Sequence, residues 1–111
     1  MREFNQRDLE DFLRSVDRHI PGPVRVIIIG GAAAIISFKA QMKTGDIDFV
    51  SNVTMIEDAI QSARAETGLN IPAGTVGVWD GPYEYESRLE YVYIDGLKNL
   101  SVFTPEKHDW A

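Results

Sequence analysis

Cysteine is absent from all 111 residues, which excludes both a disulfide framework and a thiolate metal site. Basic residues are scarce: 11 Lys and Arg against 17 Asp and Glu give a net charge of −6. That balance argues against strong nonspecific binding of nucleic acid, which depends on cations neutralising phosphates. Long apolar runs are missing too. The longest, residues 26–29 and 32–36, are separated by Gly30-Gly31 and fall far short of the roughly 20 residues needed to cross a bilayer. The two histidines, His19 and His108, have no partner at metal-ligand spacing. The first is expected at a helix end, facing the C-terminal dipole, and the second on the surface. The N-terminus is polar and charged, unlike a secretory signal, and the expected location is the cytoplasm. What remains is an ordinary globular composition, 44% hydrophobic and 25% charged, in a length suited to one domain over residues 1–111.

Hydrophobic spacing supplies the elements. Leu9, Phe12, Leu13, Val16 and Ile20 recur at helical intervals. Asn5 is placed to cap that helix, Asp8 to favour its dipole, and Phe4 to staple against Leu9. Pro21-Gly-Pro23 ends it. Residues 24–29 are rich in β-branched side chains and predict a strand buried on both faces. A helix is predicted over residues 32–39 and a polar connection over 39–44. The sequence Thr54-Met-Ile-Glu57 has the form of a capping box, opening a third helix whose buried stripe is Ile56, Ala59, Ile60 and Ala63 and which Gly68 closes. Residues 75–79 and 85–93 alternate as strands around Asp80-Gly-Pro82, and a last short strand is predicted near 100–103. The aromatic residues Trp79, Tyr83, Tyr85, Tyr91 and Tyr93 are expected mostly in the core, with one available to stack on a nucleobase. The resulting order, α, β, α, β, α, β, β, β, predicts an α+β fold in which helices pack on a mixed sheet. A doubly wound fold would need more helical crossovers after residue 70.

Chemistry concentrates in residues 30–48. A buried strand runs into Gly30-Gly31, and a second strand carries Thr44-Gly-Asp-Ile-Asp48. Side chains alternate along a strand, so Asp46 and Asp48 share a face. A glycine turn at a helix N-terminus lets backbone N–H groups approach an anion. Separately, each motif is commonplace as a structural turn or a surface Asp-x-Asp. In this order they predict a two-metal Mg²⁺ site held by Asp46 and Asp48 and a nucleoside triphosphate whose phosphates meet Gly30 and Gly31. The metal offsets local negative charge, so the acidic balance is no obstacle.

The strand, diglycine, helix and Asp-Ile-Asp succession resembles the DNA polymerase β-like nucleotidyltransferase superfamily. More narrowly, residues 4–13, Gly30-Gly31 and Thr44-Gly-Asp-Ile-Asp48 resemble the small bacterial DUF6036 and AbiEii-type nucleotidyltransferases, some of which act as toxins. The resemblance implies a nucleotidyltransferase palm and Mg²⁺-dependent transfer of a nucleoside monophosphate from an NTP to a hydroxyl on RNA, protein or a small molecule. It also brings an antitoxin into the set of expected partners. A third carboxylate on a later strand is implied as well. Glu84, Glu86 and Glu90 share one strand parity, Asp95 lies just beyond, and Glu90 has the most strand-like context. Thr44 is expected to orient the carboxylates or donate to a phosphate, with a plain turn residue as the alternative. Lys39, Lys43 and Arg88 are candidate triphosphate contacts, with a solvated surface charge as the alternative for Lys39 and Lys43 and the better claim resting with Arg88.

Two further expectations follow. Thr104-Pro105-Glu106 has the form of a helix start with only residues 107–111 after it, so the chain is expected to be a piece of a longer protein. The competing functional reading is a noncatalytic nucleotide-binding or regulatory module that keeps the fold with an incomplete acid set. A dinucleotide-binding oxidoreductase is disfavoured, because no Gly-x-Gly-x-x-Gly follows the first strand.

Overall fold

The computed structural model describes residues 3–38, 41–51, 53–75 and 89–105. The elements follow in the order α1 (Gln6–His19), β1 (Val24–Ile29), α2 (Gly30–Phe38), β2 (Ile47–Ser51), α3 (Val53–Thr67), β3 (Ala73–Thr75), β4 (Leu89–Val92) and β5 (Leu100–Pro105). The strands form one mixed sheet in the order β3-β2-β1-β5-β4. β1 is its centre, antiparallel to β2 and parallel to β5. β3 runs parallel to β2, and β4 antiparallel to β5. This is the α+β architecture expected, three helices with a five-stranded mixed sheet.

Strand parity divides the sheet into two unlike faces. Val24 and Val26 stand beside Leu100 and Val102 across the β1–β5 ladder, Thr104 shares the parity of Val102, and Phe49 pairs with Ile28. All are buried, and the apolar ones join the helical residues Leu9, Phe12, Leu13, Val16, Ile35, Ile36, Ile56 and Ile60 in one core. The opposite parity carries Arg25, Ile29, Asp48, Tyr91 and Phe103. There the Arg25 guanidinium lies 4.7 Å from the Phe103 ring centre, and the Tyr91 and Phe103 rings meet edge to face at 5.6 Å. On this face Ile27 is buried, Ile29 is half-buried and Arg25 is exposed, so the burial of β1 on both faces that its composition suggested holds only in part. Tyr91 and Tyr93 are 56% and 66% exposed, correcting the expectation of core packing for this pair. Among the described strands β4 lies at the end of the sheet, and of its described side chains Val92 reaches the core. Trp79, Tyr83 and Tyr85 lie outside the described residues.

The start of α1 follows the predicted chemistry. The Asn5 side chain accepts from the Asp8 N–H at 2.9 Å, and the Asp8 carboxylate accepts from the Asn5 N–H at 3.2 Å, a reciprocal capping box. α3 begins at Val53, one residue before the Thr54 expected to cap it, and the N–H of Gly68 closes it on the Arg64 carbonyl at 3.0 Å. β3 precedes its predicted span, meeting it only at Thr75. β5 runs on to Pro105, where Thr104 pairs with Glu90 and Pro105 with Leu89. Strand pairing therefore overrides the helix-start signal at Thr104-Pro105. Residues 106–111 lie outside the description.

Two carboxylates that the sequence reading did not single out fasten α1. Asp17, buried, accepts hydrogen bonds from the N–H groups of Lys98, Asn99 and Leu100 at 2.7 to 3.1 Å, tying the end of the helix to the entry of β5. Glu66 on α3 accepts from the Ser15 hydroxyl at 2.6 Å, from Arg18, and stands 3.3 Å from His19 Nε2. His19 thus faces a carboxylate as well as its own helix end. The Ser15 hydrogen bond, followed by the Arg18 contact, holds the Glu66 carboxyl down to about 2 from 4.5. Its folded-state value lies below its unfolded one, so its contribution is complete above pH 4.5 and is lost as pH falls towards 2. Urea unfolding of wild type and Glu66→Gln is expected to show a steeper acid loss in the wild type across that window. Parallel pH profiles would contradict this assignment.

Candidate active site

The alternation of β2 aims its acid. Ile47 and Phe49 are fully buried, so Asp48 between them projects from the opposite face. Its neighbours have been kept small. Across the β2–β3 ladder Asp48 pairs with Gly74, where a Cβ would stand 3.2 Å from Asp48 Oδ1. On the β1 side Asp48 pairs with Ile29, and the chain turns at Gly30, whose φ of +76° is costly for any residue with a Cβ. A Cβ at Gly30 would lie 3.5 Å from Asp48 Oδ2. Both carboxylate oxygens thus face positions that hold no side chain.

Gly30 and Gly31 are themselves the first residues of α2, rather than a turn preceding a helix that starts at residue 32. The first N–H groups of a helix have no intrahelical acceptor, so this start carries donors beside Asp48. A Cβ on Gly31 would be 3.2 Å from the Thr44 hydroxyl, which donates to the Asp46 carbonyl at 3.4 Å. Thr44 is in turn fixed by Phe4, the two exchanging backbone hydrogen bonds of 2.7 and 3.0 Å. Asp46 is exposed. Desolvation, followed by the charge of Asp46, pushes the Asp48 carboxyl above the usual carboxylate range. The two acids are therefore close enough to repel, an arrangement that a divalent cation relieves.

Gly30, Gly31, Thr44, Asp46 and Asp48 thus come together, and Lys43 adjoins them on an exposed stretch. Glu90 does not join them. It lies on β4, three strands from β2, about 14 Å at the usual strand spacing. It pairs with the buried Thr104 and so projects from the face opposite to Asp48. Asp95 is engaged elsewhere, its carbonyl accepting from Arg14 at 2.7 Å and its carboxylate from the Tyr93 hydroxyl at 3.1 Å. Among the described residues no group of three or more His, Asp or Glu side chains is placed to hold a metal ion. Lys39, Glu84, Glu86, Arg88 and His108 lie outside the described residues. Gly74 was missed by sequence reasoning. Its signal was faint, a residue without a side chain just before a β-branched stretch, and its meaning depends on the ladder with β2.

The sequence matches the protein family described as "Nucleotidyltransferase of unknown function (DUF6036)" over residues 7–111. No curated protein and no solved structure matches it. Among the described residues no helix is long and apolar enough to cross a membrane.

Proposed function

From the membership of this chain in the DUF6036 family of nucleotidyltransferases, we propose that it moves a nucleoside monophosphate from an NTP to a hydroxyl acceptor at a Mg²⁺ site formed by Asp46 and Asp48. The observation that carries this reading is the glycine-walled carboxylate, Asp48, with Gly30 and Gly74 on its two sides and Asp46 near enough to oppose its charge. The donor set fits the metal: hard carboxylate oxygens, no sulfur, and space about them. Mg²⁺, when bound there, supplies Lewis acidity at the phosphate oxygens.

The chain's own groups do the positioning. The glycines at the start of α2 allow the triphosphate to approach backbone N–H groups. Thr44 holds the Asp46 backbone, and Lys43 contributes a cation beside the phosphates. The acceptor hydroxyl gives up its proton to solvent and its oxygen forms a bond to the α-phosphorus as the bond to pyrophosphate breaks, pyrophosphate carrying away the electron pair. The acceptor is RNA, protein or a small molecule, and the protein works as the free enzyme or as the toxin of a toxin–antitoxin pair.

A second reading is favoured by one observation, the position of Glu90 on the other face of the sheet. With two carboxylates rather than three among the described residues, the domain would bind nucleotide and metal without efficient turnover. Isothermal titration of each NTP with Mg²⁺ into wild type and Asp46→Ala/Asp48→Ala tests the site itself. Metal-dependent binding that disappears in the double variant is expected, and a folded wild type that binds no NTP would overturn the proposal. Label transfer from the NTP that binds then separates enzyme from binding module.

A further inference from the structure

The first turn of α1 and residues 41–43 border an open surface cavity of about 310 Å³ lined by Asn5, Gln6, Arg7, Gln41, Met42 and Lys43. It adjoins the Phe4–Thr44 bridge, so its wall continues through Thr44 to the Gly31 side of the candidate active site. In a chain of net charge −6, this wall carries two cations and no carboxylate. Arg7 is 89% exposed and reaches Asp11 only at 3.9 Å. No described residue pairs with Lys43.

The remaining lining groups are amides and a thioether. Asn5 uses its side-chain oxygen on the Asp8 N–H, which leaves its NH₂ as a donor. Gln6 uses its NH₂ on Glu10 at 3.0 Å, which leaves its carbonyl as an acceptor. Gln41 offers both, and Met42, 55% exposed, presents a polarizable apolar surface of the kind that packs against a ring. Donors and acceptors side by side match the edge of a nucleobase, a flat apolar group matches its face, and cations match phosphate. The volume falls at the lower end of small-molecule sites.

We infer that this cavity is the nucleobase subsite of the nucleotide whose phosphates lie at Gly30 and Gly31. Gln41, Gln6 and Asn5 read the base edge, Met42 covers the ring, and Lys43, next to Thr44, faces the phosphate side. The inference rests on the nucleotide reading of the Asp46–Asp48 site, and its test separates the two.

Each NTP, and tripolyphosphate as a probe without a base, is titrated with Mg²⁺ into wild type, Gln41→Ala/Met42→Ala and Lys43→Ala. Gln41 and Met42 are exposed, so the double variant keeps the fold. It is expected to lose about tenfold in affinity for the preferred NTP and nothing for tripolyphosphate, while Lys43→Ala weakens both. Unchanged NTP affinity in Gln41→Ala/Met42→Ala, or an equal loss for both probes, overturns the base subsite alone. So does a wild type that binds all four NTPs no more tightly than tripolyphosphate. A wild type that binds neither probe overturns the subsite and the nucleotide reading together.

Discussion

Asp48→Asn is expected to lower Mg²⁺-dependent nucleotidyl transfer by about three orders of magnitude while making the metal-free protein more stable, not less, at neutral pH. The two effects share one cause. Asp48 sits where burial and the charge of Asp46 disfavour its ionised form, so ionisation opposes folding. Its folded-state value lies above the unfolded 3.8, and the native state therefore holds the proton more tightly. The favourable contribution is present at acid pH and is lost as pH rises through the folded value. The asparagine side chain carries no charge at any pH, so the stability gap between variant and wild type should open from about pH 4 upward. Thermal unfolding across that range, with and without Mg²⁺, checks both halves. Mg²⁺ should raise the wild-type midpoint by relieving the repulsion and leave the variant where it was. A variant less stable than wild type at pH 7, still stabilised by Mg²⁺, would show that Asp48 is a structural residue.

Asp17→Ala is expected to cost about 3 to 5 kcal/mol of folding stability, a large effect for a change outside the apolar core. Alanine removes a buried acceptor that serves three consecutive N–H groups, Lys98, Asn99 and Leu100. Leaving the buried Leu100 N–H without a partner, and the half-buried Lys98 and Asn99 N–H groups with water alone, is the main cost. Asp17→Asn keeps one acceptor oxygen and should fall between. Urea unfolding of the two variants beside wild type measures the series, and a loss below about 1 kcal/mol for alanine would mean that water replaces the carboxylate. The two predictions are opposites in kind: one acid is held at a cost to stability, whereas the other fastens the fold.

Local patterning made most of the architecture legible. The stripe from Leu9 to Ile20, the capping residue Asn5, the β-branched run of β1 and the closing Gly68 each act within a few residues, so sequence spacing alone reveals them. The order of the eight described elements follows from such signals. What escaped was set by contacts between distant segments. Asp17 follows Val16 and lies four residues after Leu13, inside the buried arc of α1, and only residues 98–100 explain why a carboxylate belongs there. Thr104-Pro105 satisfied the rules for a helix start, yet pairing with Glu90 and Leu89 draws it into β5. Tyr91 and Tyr93 fit the alternation of a strand, but the alternation does not say that the strand lies at the end of the described sheet.

The candidate site divides in the same way. Asp46, Asp48 and the diglycine were visible because one motif is short and the other precedes it in order. Gly74 became meaningful only beside Asp48. Glu90 had the right residue type and strand context, and the topology placed it on the other face.

The central position of β1 bears on how the protein is made. Its neighbour β2 follows within a few tens of residues, but β5, which covers its other edge, ends at Pro105. As the chain emerges from the ribosome, both halves of the Gly30–Asp48 site are present long before the sheet can close. Until β5 arrives, β1 offers an apolar strand with unpaired backbone groups, the kind of edge that recruits other chains. Expression yield should therefore depend more on the speed with which residues 98–105 dock than on any residue of the site.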